Sequence, residues 1–348
     1  MSPAKRVLML GLFINKEAKK QSIRTAEDRI AAMFRSNGLY VITASDKSNK
    51  VRWFLDTLFT IIKRNNQFDI AFVPLFGTWR SFLWQECATR ILKLFGKKLI
   101  LGIHGGSIPG RINNGAKRFY NAAKRADILY APSLYFKEIF ETKNFDVHVI
   151  ENPLDIAVYT FYRKEKIRPR IVWMRAFEDV YNPFMAIRVA KKLAAKYEDF
   201  EMVMAGKEGP LSNAVKHTVA LEGLSNKIKF PGYINMPQKH ELAQQYDIYI
   251  CTNKIDNAPV SLIEFMCFGL PIVSVNAGGI PYMITDEFNG LLVNSGDDEA
   301  MFQKICMLIN DANLSQSVIL NAHKYAQQYD ETNVMLKWNN VFNELKSE

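Results

Sequence analysis

Residues 247–293, DIYICTNKIDNAPVSLIEFMCFGLPIVSVNAGGIPYMITDEFNGLLV, carry the pattern that decides the fold. DIYICT is a short unbroken apolar run, which reads as a buried strand. Asn257 can cap the helix that follows, and Pro259 falls in its first turn, where a missing N–H costs nothing. LPIVSV is a second apolar strand, and Gly278 and Gly279 permit a tight turn before NGLLV. Strand, helix and strand in succession make a βαβ unit with a parallel pair. Its helix N-terminus faces the carboxyl end of the sheet, where such sheets bind ligands. Free amides there, those of Ala258, Val260 and Ser261 among them, form with the helix dipole an anion site suited to a pyrophosphate. Asp256 precedes this helix and Glu264 lies on its second turn, so two acceptors bracket a hydroxyl-rich ligand. Taken singly, Asp256 reads as a surface or capping carboxylate and Glu264 as an ordinary helix residue.

The same rhythm extends in both directions. Towards the N-terminus, RVLMLGLF, a helix at 25–37, LYVITA, an amphipathic 51–64, DIAFVPL, KKLILGIHGG, a basic helix near 113–125, DILYAPS, a helix at 133–140 and VHVIENPLD alternate. YTFYRKEKIRPR, around 160–170, breaks the pattern and reads as a polar interdomain linker. The alternation restarts at RIVWMRA and runs through a helix from Pro183, FEMVMAG, IKFPGYI and DIYICT to helices at 298–310 and 315–328. The expected architecture is α/β: two Rossmann-like domains, 1–160 and 161–328, with parallel sheets facing across a cleft, and a last helix at 329–348. No GxGxxG follows the first strand, which counts against an ordinary NAD-binding domain, and no DxD triplet supplies metal-binding carboxylates.

Composition excludes other classes. With 48% hydrophobic and 23% charged residues, the 348-residue chain is long enough for two buried cores and is not a disordered polymer. Cys87, Cys251, Cys267 and Cys306 form neither a CxxC pair nor a His-flanked set, so no metal site or disulfide framework is expected and a reducing cytoplasm fits. Residues 1–160 hold 25 Lys and Arg against 13 Asp and Glu, whereas 161–348 hold 20 against 22. The first half therefore points to an anionic partner, a lipid surface or a phosphorylated acceptor, beside the plainer alternative of a solvated basic face. No nucleic-acid motif accompanies the charge.

The segment opening at Glu264, EFMCFGLPIVSVNAGGIPY, resembles the phrase EAMACGxPVVxxxxGGxPE of the large group 1 family of retaining glycosyltransferases, which includes sucrose and glycogen synthases. That family sets an acid eight positions earlier; here it is Asp256, giving Asp-x7-Glu. The resemblance implies the GT-B fold, a nucleotide-diphosphate sugar donor, contact of Asp256 with sugar hydroxyls and of Glu264 with the ribose, and no covalent nucleophile. It places Arg175, at the end of IVWMRA, on the diphosphate, while the family's second cation, a lysine, is replaced by Val180, Tyr181 or Asn182. His104 and Gly105, in KKLILGIHGG, match the histidine beside the donor hexose, and Gly232 and Tyr233 in IKFPGYI match a loop meeting the base. Asn257, Ala258, Pro259, Val260 and Ser261 complete the expected donor site.

The implied activity is retaining, metal-free and cofactor-free transfer of a sugar to a glycan or lipid-linked acceptor, as in bacterial polysaccharide or lipopolysaccharide synthesis. The protein is then expected in the cytoplasm, peripheral on the inner face of the cell membrane. VRWFLDTLFTIIKR at 51–64 and FGTWRSFLW at 76–84 pair basic residues with tryptophans, as membrane interfaces do. Two alternatives stay open: a nucleotide-sugar epimerase or hydrolase of the same fold, which would consume donor without acceptor, and a non-catalytic nucleotide-sugar-binding subunit.

Overall fold

The computed structural model describes residues 5–11, 13, 25–47, 49–75, 79–103 and 117–347. The chain divides into two compact units, 1–154 with 329–348, and 155–328.

In the first unit the described elements are β1 (Arg6–Leu10), α1 (Ala26–Ser36), β2 (Tyr40–Ala44), α2 (Lys50–Lys63), β3 (Ile70–Leu75), α3 (Trp79–Leu94), β4 (Lys98–Ile103), α4 (Lys117–Ala123), β5 (Ile128–Ala131), α5 (Leu134–Glu141) and β6 (His148–Val149). Their strands form a parallel sheet in the order β2-β1-β3-β4-β5-β6. Strand side chains alternate between faces, so β1 sends Leu8 and Leu10 into one core and Val7 and Met9 into the other. The first core is closed by Trp53 and Ile61 of α2, Trp84 of α3, Phe119 of α4 and Phe136 of α5, the second by Ile30 and Phe34 of α1. Burial on both faces explains why β3 and β4 read as continuous apolar runs. A capping box between Thr25 and Asp28 starts α1.

In the second unit β7 (Arg170–Met174), α6 (Pro183–Lys196), β8 (Glu201–Ala205), α7 (Ser212–Leu221), β9 (Ile228–Gly232), α8 (Met236–Gln245), β10 (Ile248–Cys251), α9 (Val260–Phe268), β11 (Ile272–Val275), β12 (Leu291–Val293), α10 (Asp298–Asn310) and α11 (Ala312–Ala326) follow one another. The sheet is again parallel, in the order β12-β11-β10-β7-β8-β9. The last helix, α12 (Glu331–Ser347), belongs to the first unit. Its Trp338 is fully buried, with ring centroids 4.7 Å from Tyr130 and 5.1 Å from Phe72, and Lys337 pairs with Glu151 at 2.6 Å.

The segment 160–170 is not a free linker. Tyr162 donates its amide to Phe268, and Lys164 and Arg168 converge on Asp247, which is fully buried, at 3.2 and 2.7 Å. The basic character that reads as solvated polarity is the counter-charge of a buried carboxylate, which binds the segment to the second unit. Residues 155–160, expected with the first domain, also lie in that unit.

Candidate functional site

Strands β7, β8 and β9 step outwards on one side, and the chain then returns to place β10 on the other side of β7. The strand order reverses between β7 and β10, and in doubly wound sheets the crevice outside the carboxyl ends at such a point holds the ligand. Arg175 directly follows β7, and the loop 252–259 follows β10.

The two meet there. Arg175 Nη2 lies 3.4 Å from Asp256 Oδ2, with 15% of the arginine side chain and 21% of the aspartate exposed, so the pair is largely desolvated yet reachable. Asp256 Oδ2 also accepts from Asn253 Nδ2 at 2.8 Å, and Oδ1 from the Asn257 amide at 2.8 Å. The Tyr181 ring lies 5.6 Å from the guanidinium, within cation–π range. Burial opposes the charge on Arg175, but the Asp256 carboxylate favours it, and the guanidinium is held above its ordinary value. Burial pushes the neighbouring Tyr249 hydroxyl and Cys251 thiol up, so both stay neutral. Among the described residues the one side-chain hydrogen bond of Arg175 goes to Asp256, and its Nε–H is buried without a partner.

Backbone packing holds this geometry. A Cβ on Gly279 would stand 1.7 Å from the Asn257 carbonyl oxygen, and one on Gly278, at φ +60°, 2.2 Å from that of Asp256. Gly279 donates its amide to the Asp256 carbonyl at 2.7 Å. The double glycine therefore shapes the loop that carries Asp256. Gly206, at φ +148°, plays the same part for Arg175, whose carbonyl oxygen would lie 1.8 Å from an added Cβ.

Helix α9 begins at Val260 with Pro259 as its N-cap and no side-chain capping bond. The N-cap position is thus Pro259 and not Asn257, which stands two residues earlier, and Pro259 lies just ahead of the first turn. The first-turn amides of Val260 and Ser261 have no intrahelical acceptor. Ser261 Oγ is 2.8 Å from Tyr249 Oη, and Ala258 lies between Asn257 and Pro259 in the loop.

Glu264 is buried on α9. Tyr159 Oη donates to its Oε1 at 3.0 Å and Lys239 Nζ, on α8, to its Oε2 at 2.7 Å. Each oxygen keeps a second lone pair, so the carboxylate can still accept a hydroxyl. None of these bonds joins it to the Arg175 and Asp256 pair. Tyr233 is half-exposed beyond β9, the edge strand, two strands from β7. His104 and Gly105 lie outside the described residues.

Three residues escaped the sequence reading. Tyr159 and Lys239 are remote in sequence from Glu264, and no local signal marks them. Lys254 is the third: its amide donates to Val180 at 2.8 Å and its ammonium lies 2.6 Å from Asp179 Oδ1. A different loop thus brings a lysine to the turn where the family lysine is missing. Among the described residues no group of three or more His, Cys, Asp or Glu side chains could hold a metal ion.

Residues 161–325 match the family model described as Glycosyl transferases group 1. Over those residues, somewhat under half of its length, the chain is similar to the group 1 glycosyltransferases. The matched residues coincide nearly with the second unit, which holds Arg175, Asp256 and Glu264. The chain is 23% identical, over 56% of its length and 52% of the relative's, to a Campylobacter jejuni protein. That relative is named GalNAc-alpha-(1->4)-GalNAc-alpha-(1->3)-diNAcBac-PP-undecaprenol alpha-1,4-N-acetyl-D-galactosaminyltransferase. The chain spans about half the length of the curated relatives it matches, 43% and 52% of the first two. In fold it is similar to the Anabaena protein HepE solved in complex with UDP, with TM-score 0.74 and 16% identity over 99% of this chain and 100% of that one. It is also similar to sucrose-phosphate synthase from Thermosynechococcus elongatus, with TM-score 0.77 and 10% identity over 99% of each chain. Two parallel six-stranded sheets with these neighbours make the fold GT-B.

Proposed function

We propose that this chain transfers a sugar from a nucleotide-diphosphate sugar to a glycan or lipid-linked acceptor, with retention of anomeric configuration and without a metal ion or other cofactor. The observation that carries the reading is Arg175, held by Asp256 at the point where the sheet order reverses. In the reaction the bond from the anomeric carbon to the diphosphate breaks and its electron pair stays on the phosphate oxygen. Arg175 and the first-turn amides of α9 take up that charge. The acceptor oxygen bonds to the anomeric carbon on the face the phosphate leaves, and its proton passes to the departing phosphate. Lys254 supplies the second positive charge from its own loop. Asp256 buttresses Arg175 and reaches sugar hydroxyls, Glu264 accepts from the ribose, Tyr233 and Asn257 border the nucleotide, and His104 and Gly105 position the hexose.

The UDP bound to the Anabaena protein and the undecaprenol-linked substrate in the Campylobacter relative's name support a uridine donor and a lipid-linked acceptor. The setting that fits is polysaccharide or lipopolysaccharide assembly at the inner face of a bacterial membrane. A second reading, a binding subunit without turnover, draws on the turn at 179–182 that lacks a lysine and on Glu264 already paired with Lys239. A panel of nucleotide sugars in a thermal-shift assay, followed by product analysis with acceptor, separates the two. The expected result is stabilisation by one donor and its consumption in the presence of EDTA. Strict dependence on added magnesium or manganese, or binding with no turnover, overturns the enzymatic reading.

A further inference from the structure

We infer that helix α2 of the first unit is a docking element that lies on an anionic lipid bilayer. Val51, Leu55, Phe59 and Ile62 are 67, 58, 59 and 58% exposed. At 100° per residue these four fall within an arc of about 80° of the helix circumference, one continuous apolar stripe. It is not spare core. The opposite face already closes the unit, with Trp53, Thr57 and Ile61 buried and the Trp53 indole donating to the Gly11 carbonyl at 2.9 Å. Phe54 and Leu58 pack part-buried on the flank. The stripe thus remains outside after every inward contact of the helix has been made.

Charge selects the occupant. Lys50, Arg52, Lys63 and Arg64 stand exposed on or at the ends of this helix, and among the described residues none forms an ion pair with a carboxylate. Lys63 reaches over the Phe59 ring at 5.2 Å, its stem along the stripe. The one acid on the helix, Asp56, accepts a hydrogen bond from Ser45 at 2.5 Å. A helix with an apolar stripe bordered by lysine and arginine lies in the interface plane of a membrane, its apolar face among the acyl chains and its cations among the phosphates. The excess of 25 basic over 13 acidic residues in 1–160 adds attraction to such a surface and repulsion against a second copy presenting the same face. The inference stands apart from the donor chemistry, since α2 contributes no residue to the donor site.

Cosedimentation of the full chain with phosphatidylcholine vesicles carrying increasing phosphatidylglycerol is the test. Binding should rise with the anionic fraction and fall with added salt, which shortens the screening length. V51S/L55S/F59S/I62S and K50Q/R52Q/K63Q/R64Q should each lower partitioning at least tenfold. Both should keep the native melting temperature and the shift given by a nucleotide sugar, because the replaced side chains point outwards. Equal binding to neutral and anionic vesicles, unchanged binding by either variant, or a dimer in solution that the serine variant converts to monomer overturns the proposal. Loss of the nucleotide-sugar shift in the wild-type chain bears on the proposed function alone.

Discussion

Helices α9 and α2 are both rich in large apolar residues, and they end in opposite places. In α9 every residue from Ser261 to Phe268 is buried, whereas in α2 only Trp53, Thr57 and Ile61 are. Position in the sheet accounts for the contrast. Helix α9 follows β10, an interior strand, and α11 packs against its other side; α2 follows β2, the edge strand of its sheet. An apolar helix is covered all round only where the fold supplies neighbours on every side. Apolar content therefore tells that a helix packs, and topology tells how much of it does.

The sharpest way to break this contrast is substitution within α9. Phe265 is fully buried and stacks on Tyr249 at 4.3 Å. Phe265→Ala should lower stability by about 3–5 kcal/mol, read from the denaturant midpoint, as a large cavity in a closed core does. A loss below about 1 kcal/mol would mean that α9 is less tightly enclosed than its burial indicates.

Next in size are the charged residues that α9 and the switch point present. Arg175→Ala and Glu264→Ala should each lower kcat/KM about a hundredfold, equivalent to about 2.7 kcal/mol of transition-state stabilisation. Near-native kinetics in both would remove the donor site from this face of the second unit. Lys254→Ala, acting on the exposed lysine that pairs with Asp179, should cost about tenfold, or about 1.4 kcal/mol. An effect as large as that of Arg175→Ala would make Lys254 the principal phosphate ligand instead.

The smallest effect is expected on the outer stripe of α2. Leu55→Ser and Phe59→Ser should shift stability by no more than about 0.5 kcal/mol, because each residue keeps more than half of its surface exposed in the fold. A loss comparable to that of Phe265→Ala would show that something covers the stripe in solution.

Much of the second unit was legible in advance. Continuous apolar strands separated by helix-period segments announced a parallel sheet, and the reversal of strand order brought Arg175 and Asp256 together although 80 residues separate them. Asp256 and the double glycine were readable for a local reason: a tight loop against a helix N-terminus needs residues without a Cβ at the crossing point. Glu264 was readable as a candidate, but its partners were not. Tyr159 and Lys239 reach it from separate elements, and no periodicity encodes a meeting of side chains 105 and 25 positions apart. The 160–170 segment was misread for a related reason, because composition counts charges and cannot see that Asp247 buries the counter-charge.

The sequence by itself determined the α/β class, the two-unit order and which candidate residues stand at the ends of β7 and β10, because backbone propensity, hydrophobic period and glycine positions are local properties. Only the tertiary structure decided that Pro259 takes the N-cap position of α9, that Lys254 stands in the turn without a family lysine, and that the outer stripe of α2 stays largely exposed. Each of these depends on which surfaces the packed sheet leaves uncovered and which charges it brings within hydrogen-bond reach, and those are properties of the assembled core.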